Sequence, residues 1–230
     1  GTEKTVTGYG FDSSETLFLE SYMTFSGDAT VKRTDVGKTM MGLDKDQFGN
    51  DNTNFLVTFQ VTDGWVEVTA KAVTVTITGD TDTFEYDGDE HTVTGYTFAA
   101  DSDLYLEDYM SFTGTASAGR TDVGKTQMDL SVSQFSNSNG NFAVTFQVID
   151  GSIEITKHGV TVTIDGRTST VDETLSEQSY GEYDLVFECD IYSGSSVHAK
   201  AFAAKGTAAG TYACPIDITD FSNTDGNFDV

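Results

Sequence analysis

The chain has 230 residues and sets 12 Lys and Arg against 37 Asp and Glu, for a formal net charge of -25. Basic residues this few, and scattered singly, exclude a phosphate-gripping nucleic-acid surface and a docking face for anionic membranes. No apolar run approaches the roughly 20 residues of a membrane-spanning helix. The length allows one to three domains, and 16 Phe with 10 Tyr can fill small cores despite the charge.

Taken in chain order, the predicted elements are strands almost throughout. Gln47-Phe48 falls on a single helical turn. In Phe55–Val61 the alternate residues Phe55, Val57, Phe59 and Val61 share one buried face. Asp63-Gly64 then predicts a tight hairpin turn, and Val66 and Val68 continue the alternation. Val73, Val75 and Ile77 alternate with Thr, the pattern of a half-buried strand. Gln134-Phe135 predicts a second helical turn, and no segment sustains a helical period. Short strands separated by Gly, Asn and Asp turns predict an all-β chain built as small sandwiches. A β-grasp-like arrangement is the alternative, and periodicity does not separate the two.

The elements repeat. Residues 1–79 align without a gap on 88–166 at an offset of about 87, with roughly 46 of the 79 positions identical. Arg33–Thr39 (RTDVGKT) returns as Arg120–Thr126, and Val57–Val61 returns as Val144–Val148. A divergent third copy follows, in which Phe135–Phe142 (FSNSNGNF) returns as Phe221–Phe228 (FSNTDGNF), Gly124 matches Gly210 and Met128 matches Cys214. The stretch 167–205 aligns poorly and reads as carrying extra residues. The domain expectation is 1–70 for the first repeat (with 79 as the alternative boundary), 71–156 for the second, and 157–230 for an incomplete third.

The run VTVTITGDTDTFEYDGDEHTVTGY at 73–96, with SFTG, RTDVGKT and NFAVTFQVIDGSIEIT after it, resembles the mostly-β, glycine-rich (MBG or YDG-type) repeats of bacterial surface proteins. The resemblance covers 1–166 well and 167–230 in part. It implies tandem immunoglobulin-like sandwiches in a stalk or adhesin segment on the outside of a bacterial, Gram-positive-type cell. Neighbouring repeats are the implied partners, and the family has no catalytic residues to carry over.

Gly119–Thr126 matches the phosphate-loop pattern GxxxxGK[ST] letter for letter. That loop needs a helix after it to cradle phosphate, whereas Gln127–Leu130 reads as strand. His91, His158 and His198 stand at unrelated repeat positions, none beside a nucleophile. Glu20 and Glu107 recur, and a strand edge or an ion pair with Arg33 or Arg120 explains them more simply than a carboxylate pair in a cleft. No enzyme is expected. Asp80, Asp82, Asp87 and Asp89 are the candidate Ca²⁺ ligands, with solvated turns as the alternative, and no other cofactor is expected. The extracellular setting favours a disulfide between Cys189 and Cys214, matched to Tyr109 and Met128, over two unbridged core thiols. Lys38, Lys125, Asn54, Asn141, Gln60 and Gln147 recur and have the chemistry of isopeptide or ester crosslinks, though no crosslink motif is visible.

The expected function is a non-catalytic spacer. The rivals are a module binding a host protein or glycan, and a subunit of a fibre. Trp65 is the single Trp, with Ser152 as its counterpart, and is the candidate ligand contact. Two expectations concern the ends: Val73–Ile77 closes the first repeat, and the third has an exposed or partner-covered edge at Asn227–Val230.

Overall fold

The computed structural model describes residues 1–166, 184–204 and 208–230, and the backbone of 178–180. Alternating Val, Ile and Phe against Thr and Ser favours short pleated segments over helix. The described residues are accordingly all-β, with single helical turns and no longer helix. The first repeat holds β1 (Lys4–Thr7), β2 (Met23–Phe25), β3 (Thr30–Arg33), β4 (Gly37–Met40), β5 (Phe48–Asn50) and β6 (Trp65–Val68). The second holds β7 (Lys71–Gly79), β8 (Thr81–Glu85), β9 (His91–Thr94), β10 (Tyr96–Ala100) and β11 (Met110–Phe112). It continues with β12 (Ser117–Arg120), β13 (Gly124–Gln127), β14 (Phe135–Asn137), β15 (Phe142–Ile149) and β16 (Ser152–Thr156). The third holds β17 (His158–Gly159), β18 (Val162–Ile164), β19 (Gln178–Tyr180) and β20 (Leu185–Phe187), then β21 (Val197–Ala199), β22 (Phe202–Ala204), β23 (Phe221–Asn223) and β24 (Phe228–Asp229).

The pairing scheme recurs. In the first repeat β1 pairs β3, β2 pairs β5 and β4 pairs β6. The second repeats these as β9–β12, β11–β14 and β13–β16, and adds β8 on the other side of β16, parallel to it. A further sheet has the order β10-β7-β15. β7 lies between two strands of the second repeat in that sheet, while the compact unit that holds the first repeat takes in its Val73 and Val75. In the third repeat β18–β20, β19–β22 and β21–β23 are antiparallel, and β17–β24 is parallel.

By compactness the residues form two units. One comprises Gly1–Val75, Ala100–Phe112 and Phe135–Phe146. Its core includes Phe18, Val31, Val66, Val73, Val75 and Tyr105. Tyr9, Phe25 and Phe48 pack with ring centroids about 5 Å apart. The other comprises Thr76–Ala99, Thr113–Gln134 and Gln147–Val230. Ile77, Ile153 and Ile155 are its most buried aliphatic residues, and Val160, Leu185, Tyr192, Val197 and Phe228 form a second cluster.

Asp63-Gly64 and Asp150-Gly151 do not make hairpins. The strand before Asp150 pairs in one sheet and β16 after it pairs in another, so the dipeptide turns a corner between sheets. The aspartate anchors the corner. Asp150 accepts the Asp129 and Leu130 N–H groups at 3.2 and 2.9 Å, as Asp63 accepts those of Gly42 and Leu43 at 3.0 and 2.9 Å. Here Asp129 takes φ 60°, where Gly42 at the same repeat position takes 82°. A Cβ is strained in that left-handed region, which Asp tolerates better than most residues. Asp129→Gly is therefore expected to be neutral to stabilising, by up to about 1 kcal/mol, in urea unfolding. A loss of stability of that size sinks this account.

At the predicted exposed or partner-covered edge, Asn227–Val230, β24 pairs with β17 and Phe228 is buried, while Val230 is 47% exposed. Beyond it, Val162 and Ile164 are only half-buried, whereas Val75 and Ile77 at the same repeat positions are 0% exposed. They line an apolar cavity of about 280 Å³ with Val197, Phe221 and Val230. No helix among the described residues is long and apolar enough to cross a membrane.

Candidate functional site

The chemistry that recurs is a loop and a clamp. Each RTDVG loop is wrapped by its own arginine. Arg33 donates from Nε to the Asp35 carbonyl at 2.8 Å, from Nη2 to the Val36 carbonyl at 2.6 Å and from Nη1 to Thr39 Oγ1 at 2.8 Å. Arg120 repeats the set on Asp122, Val123 and Thr126 at 2.6, 2.7 and 3.2 Å. The glycine closing each loop, Gly37 or Gly124, has φ 132°, and a Cβ there would run into that guanidinium. The resemblance to a phosphate loop is thereby explained away. The residues that would cradle phosphate are folded around arginine, and Gly124–Gln127 is a strand rather than a helix start. Both arginines are committed to their loops, which corrects the expected pairing with Glu20 or Glu107; those acids sit on single helical turns.

An asparagine from the next repeat clamps the loop. Asn141 Oδ1 accepts the Val36 N–H at 2.7 Å, and its Nδ2 donates to Asp35 Oδ1 at 2.9 Å. Asn227 does the same to Val123 and Asp122, at 2.8 and 3.0 Å. Reading both edges of the amide makes the contact directional. The clamp is held by a local ladder: the Asn141 N–H donates to Asn139 Oδ1 and the Asn139 N–H to Asn137 Oδ1, both at 3.0 Å. Asn223, Asp225 and Asn227 form the same ladder, and so do Asn50, Asn52 and Asn54. The buried Tyr105 and Tyr192 donate to Asn137 and Asn223 at 3.2 and 2.8 Å, and burial pushes both phenols above their ordinary pKa. The strand that follows starts from the clamp, with the Lys71 and His158 N–H groups donating to the Asn141 and Asn227 carbonyls at 3.0 and 3.1 Å. At the second joint His158 Nδ1 also meets Glu85 at 2.9 Å, and Tyr86 packs edge-on against Phe228.

Asn54 holds the same ladder with its side chain exposed. In the third repeat, Ala208-Ala209-Gly210 stands where Asp122-Val123-Gly124 stands in the second, so it has no carboxylate for a further clamp of this kind.

The other candidates fall elsewhere. Trp65 starts β6, is 47% exposed, and carries the Lys38 ammonium 4.0 Å above its ring; Ser152, its counterpart, is 3% exposed. The Asp80 backbone bonds Gly95 and Ser152, and Asp82 accepts the Thr83 N–H at 2.8 Å. Asp87 accepts the Asp89 N–H at 2.9 Å and meets His91 at 3.0 Å, and these two contacts hold its carboxyl below the ordinary value. Among the described residues no three His, Cys, Asp or Glu converge on a metal position. Cys189 and Cys214 are free thiols, each half-buried. Cys189 packs against the cluster around Val160 and Phe228. It does not occupy the place of Tyr109, because Tyr192 repeats the Tyr105 contact and so sets the register.

The clamp was legible in outline. The spaced Asn-x-Asn-x-Asn run before a Phe and the recurring RTDVG were both visible as repeats, but nothing local pairs one with the other. A comparison of the chain with known protein families, curated proteins and solved structures finds no match.

Proposed function

We propose that the chain is a non-catalytic spacer, a run of immunoglobulin-like repeats in a bacterial surface stalk or adhesin. The observation that supports this is the clamp, which recurs at both joints with the same atoms and nearly the same distances. A binding or catalytic centre is normally asymmetric, whereas a spacer needs every joint alike. Two bonds from one amide, next to a strand that begins at the same residue, restrict bending between neighbours. Residual dipolar couplings on the full chain test the reading. The amides of 1–68 and 71–156 are expected to share one alignment tensor, and Asn141→Ala to separate them. Two tensors in the unaltered chain refute the spacer.

A second reading, glycan or host-protein capture, is favoured by one observation: Trp65 is exposed beneath a lysine where the next repeat has a buried serine. Binding on a glycan array that Trp65→Ala abolishes would establish it.

A further inference from the structure

Two nearly identical sequences stand in different states. Phe142–Ile149 (FAVTFQVI) is strand β15, next to β7, and Ser152–Thr156 is strand β16, parallel to β8 from Ser152↔Thr81 to Thr156↔Glu85. In the first repeat Phe55–Val61 (FLVTFQV) keeps the same alternation of half-buried and exposed residues. It lies in no strand, and Leu56–Thr62 makes no backbone hydrogen bond among the described residues. Among the described residues β6 pairs on one side only, with β4. The chemistry of pairing is present on this edge, and the partner is what differs. Unpaired N–H and C=O groups in a preformed extended segment are a template for another strand.

We propose that the edge formed by Phe55–Val61 and β6 accepts an extended segment of the same repeat type from another copy of the repeat. That segment has the chemistry of Lys71–Glu85: Val or Ile alternating with Thr, then a glycine, then an acidic strand. It lies beside Phe55–Val61 as β7 lies beside β15, and parallel to β6 as β8 is to β16. The molecule itself identifies the occupant, since its second repeat holds this segment against the same acceptor sequence. Val73, Val75 and Ile77 are buried there, which gives the segment its apolar anchors. The Asp-Gly corner fits as well. Gly79 and Gly151 pass so closely that neither has room for a Cβ, while the atoms nearest a Cβ on Gly64 in the first repeat all belong to the Met41 side chain, none closer than 3.4 Å. The segment therefore finds space at Gly64 for its own turn. Trp65, at the position of Ser152, flanks the incoming counterpart of Thr81 and reports its arrival.

The inference goes beyond the spacer reading and stands apart from it, because the dipolar couplings report the joint and the following measurement reports this edge. A synthetic peptide with the sequence of residues 71–87 is titrated into the full chain, with a scrambled peptide of the same composition as control. Hydrogen exchange of amides 56–68 and Trp65 emission are recorded. A second measurement uses the chain with residues 71–87 duplicated ahead of Gly1, which continues the repeat register without a gap, and the same chain with that insert scrambled. In either experiment the native order is expected to slow exchange across 56–68 by about tenfold or more and to change Trp65 emission, the scrambled order doing neither. The proposal is overturned if both experiments leave exchange at 56–68 unchanged, or if scrambled and native orders protect alike.

Discussion

Gly151→Ala is expected to destabilise the second repeat by about 3 kcal/mol or more, while Gly64→Ala, the same change in the same Asp-Gly corner, costs less than about 0.5 kcal/mol. The difference is steric. A methyl on Gly151 meets the Asp80 carbonyl oxygen and the Gly79 backbone, where β7 ends and the chain turns into β8, and also the Met128 sulfur at 2.6 Å. The Gly79–Asp80 backbone cannot swing away as a side chain can. A methyl on Gly64 meets Met41 Cε at 3.4 Å, the end of a flexible chain. Exchange-detected unfolding of each variant reads both values. Equal costs would falsify the reading that two neighbouring chain segments cross at Gly151 and only one passes Gly64.

Arg120→Ala carries the other large effect. The guanidinium satisfies two loop carbonyls and a threonine hydroxyl, and it fills the space that a Cβ on Gly124 would need. Charge-assisted bonds of this kind contribute about 1.5–3 kcal/mol each when measured singly, and they are not additive. A loss of about 3 kcal/mol is expected. It comes with faster exchange of the Val123 amide, because a loosened loop also loses Asn227. Arg120→Lys rescues little, since one ammonium does not reproduce a planar fork aimed at three acceptors. A fully stable Arg120→Ala variant with an intact Asn227 contact would show that the loop holds its shape without arginine, and that the clamp does not depend on it.

What the sequence determined by itself is local. Alternation placed Phe55–Val61 and Val73–Ile77 in extended conformation, because side-chain direction in a pleated chain follows from residue parity alone. The members of each ladder, at Asn50, Asn137 and Asn223, lie within a few residues of one another, so their recurrence is readable as a motif. An all-β chain followed from the same local pattern. Tertiary structure decided everything that needs a partner. FLVTFQV and FAVTFQV differ at one position, yet one is unpaired and the other lies in a sheet, since strand hydrogen bonds are supplied by a neighbour distant in sequence. Asp-Gly reads as a hairpin from composition, but its strands went to different sheets, so the turn became a corner. RTDVGKT has the letters of a phosphate loop, and only the fold showed the arginine filling it and an asparagine from the next repeat, about 105 residues away, closing it. A contact of that separation leaves no trace in local periodicity, which reports only neighbours along the chain.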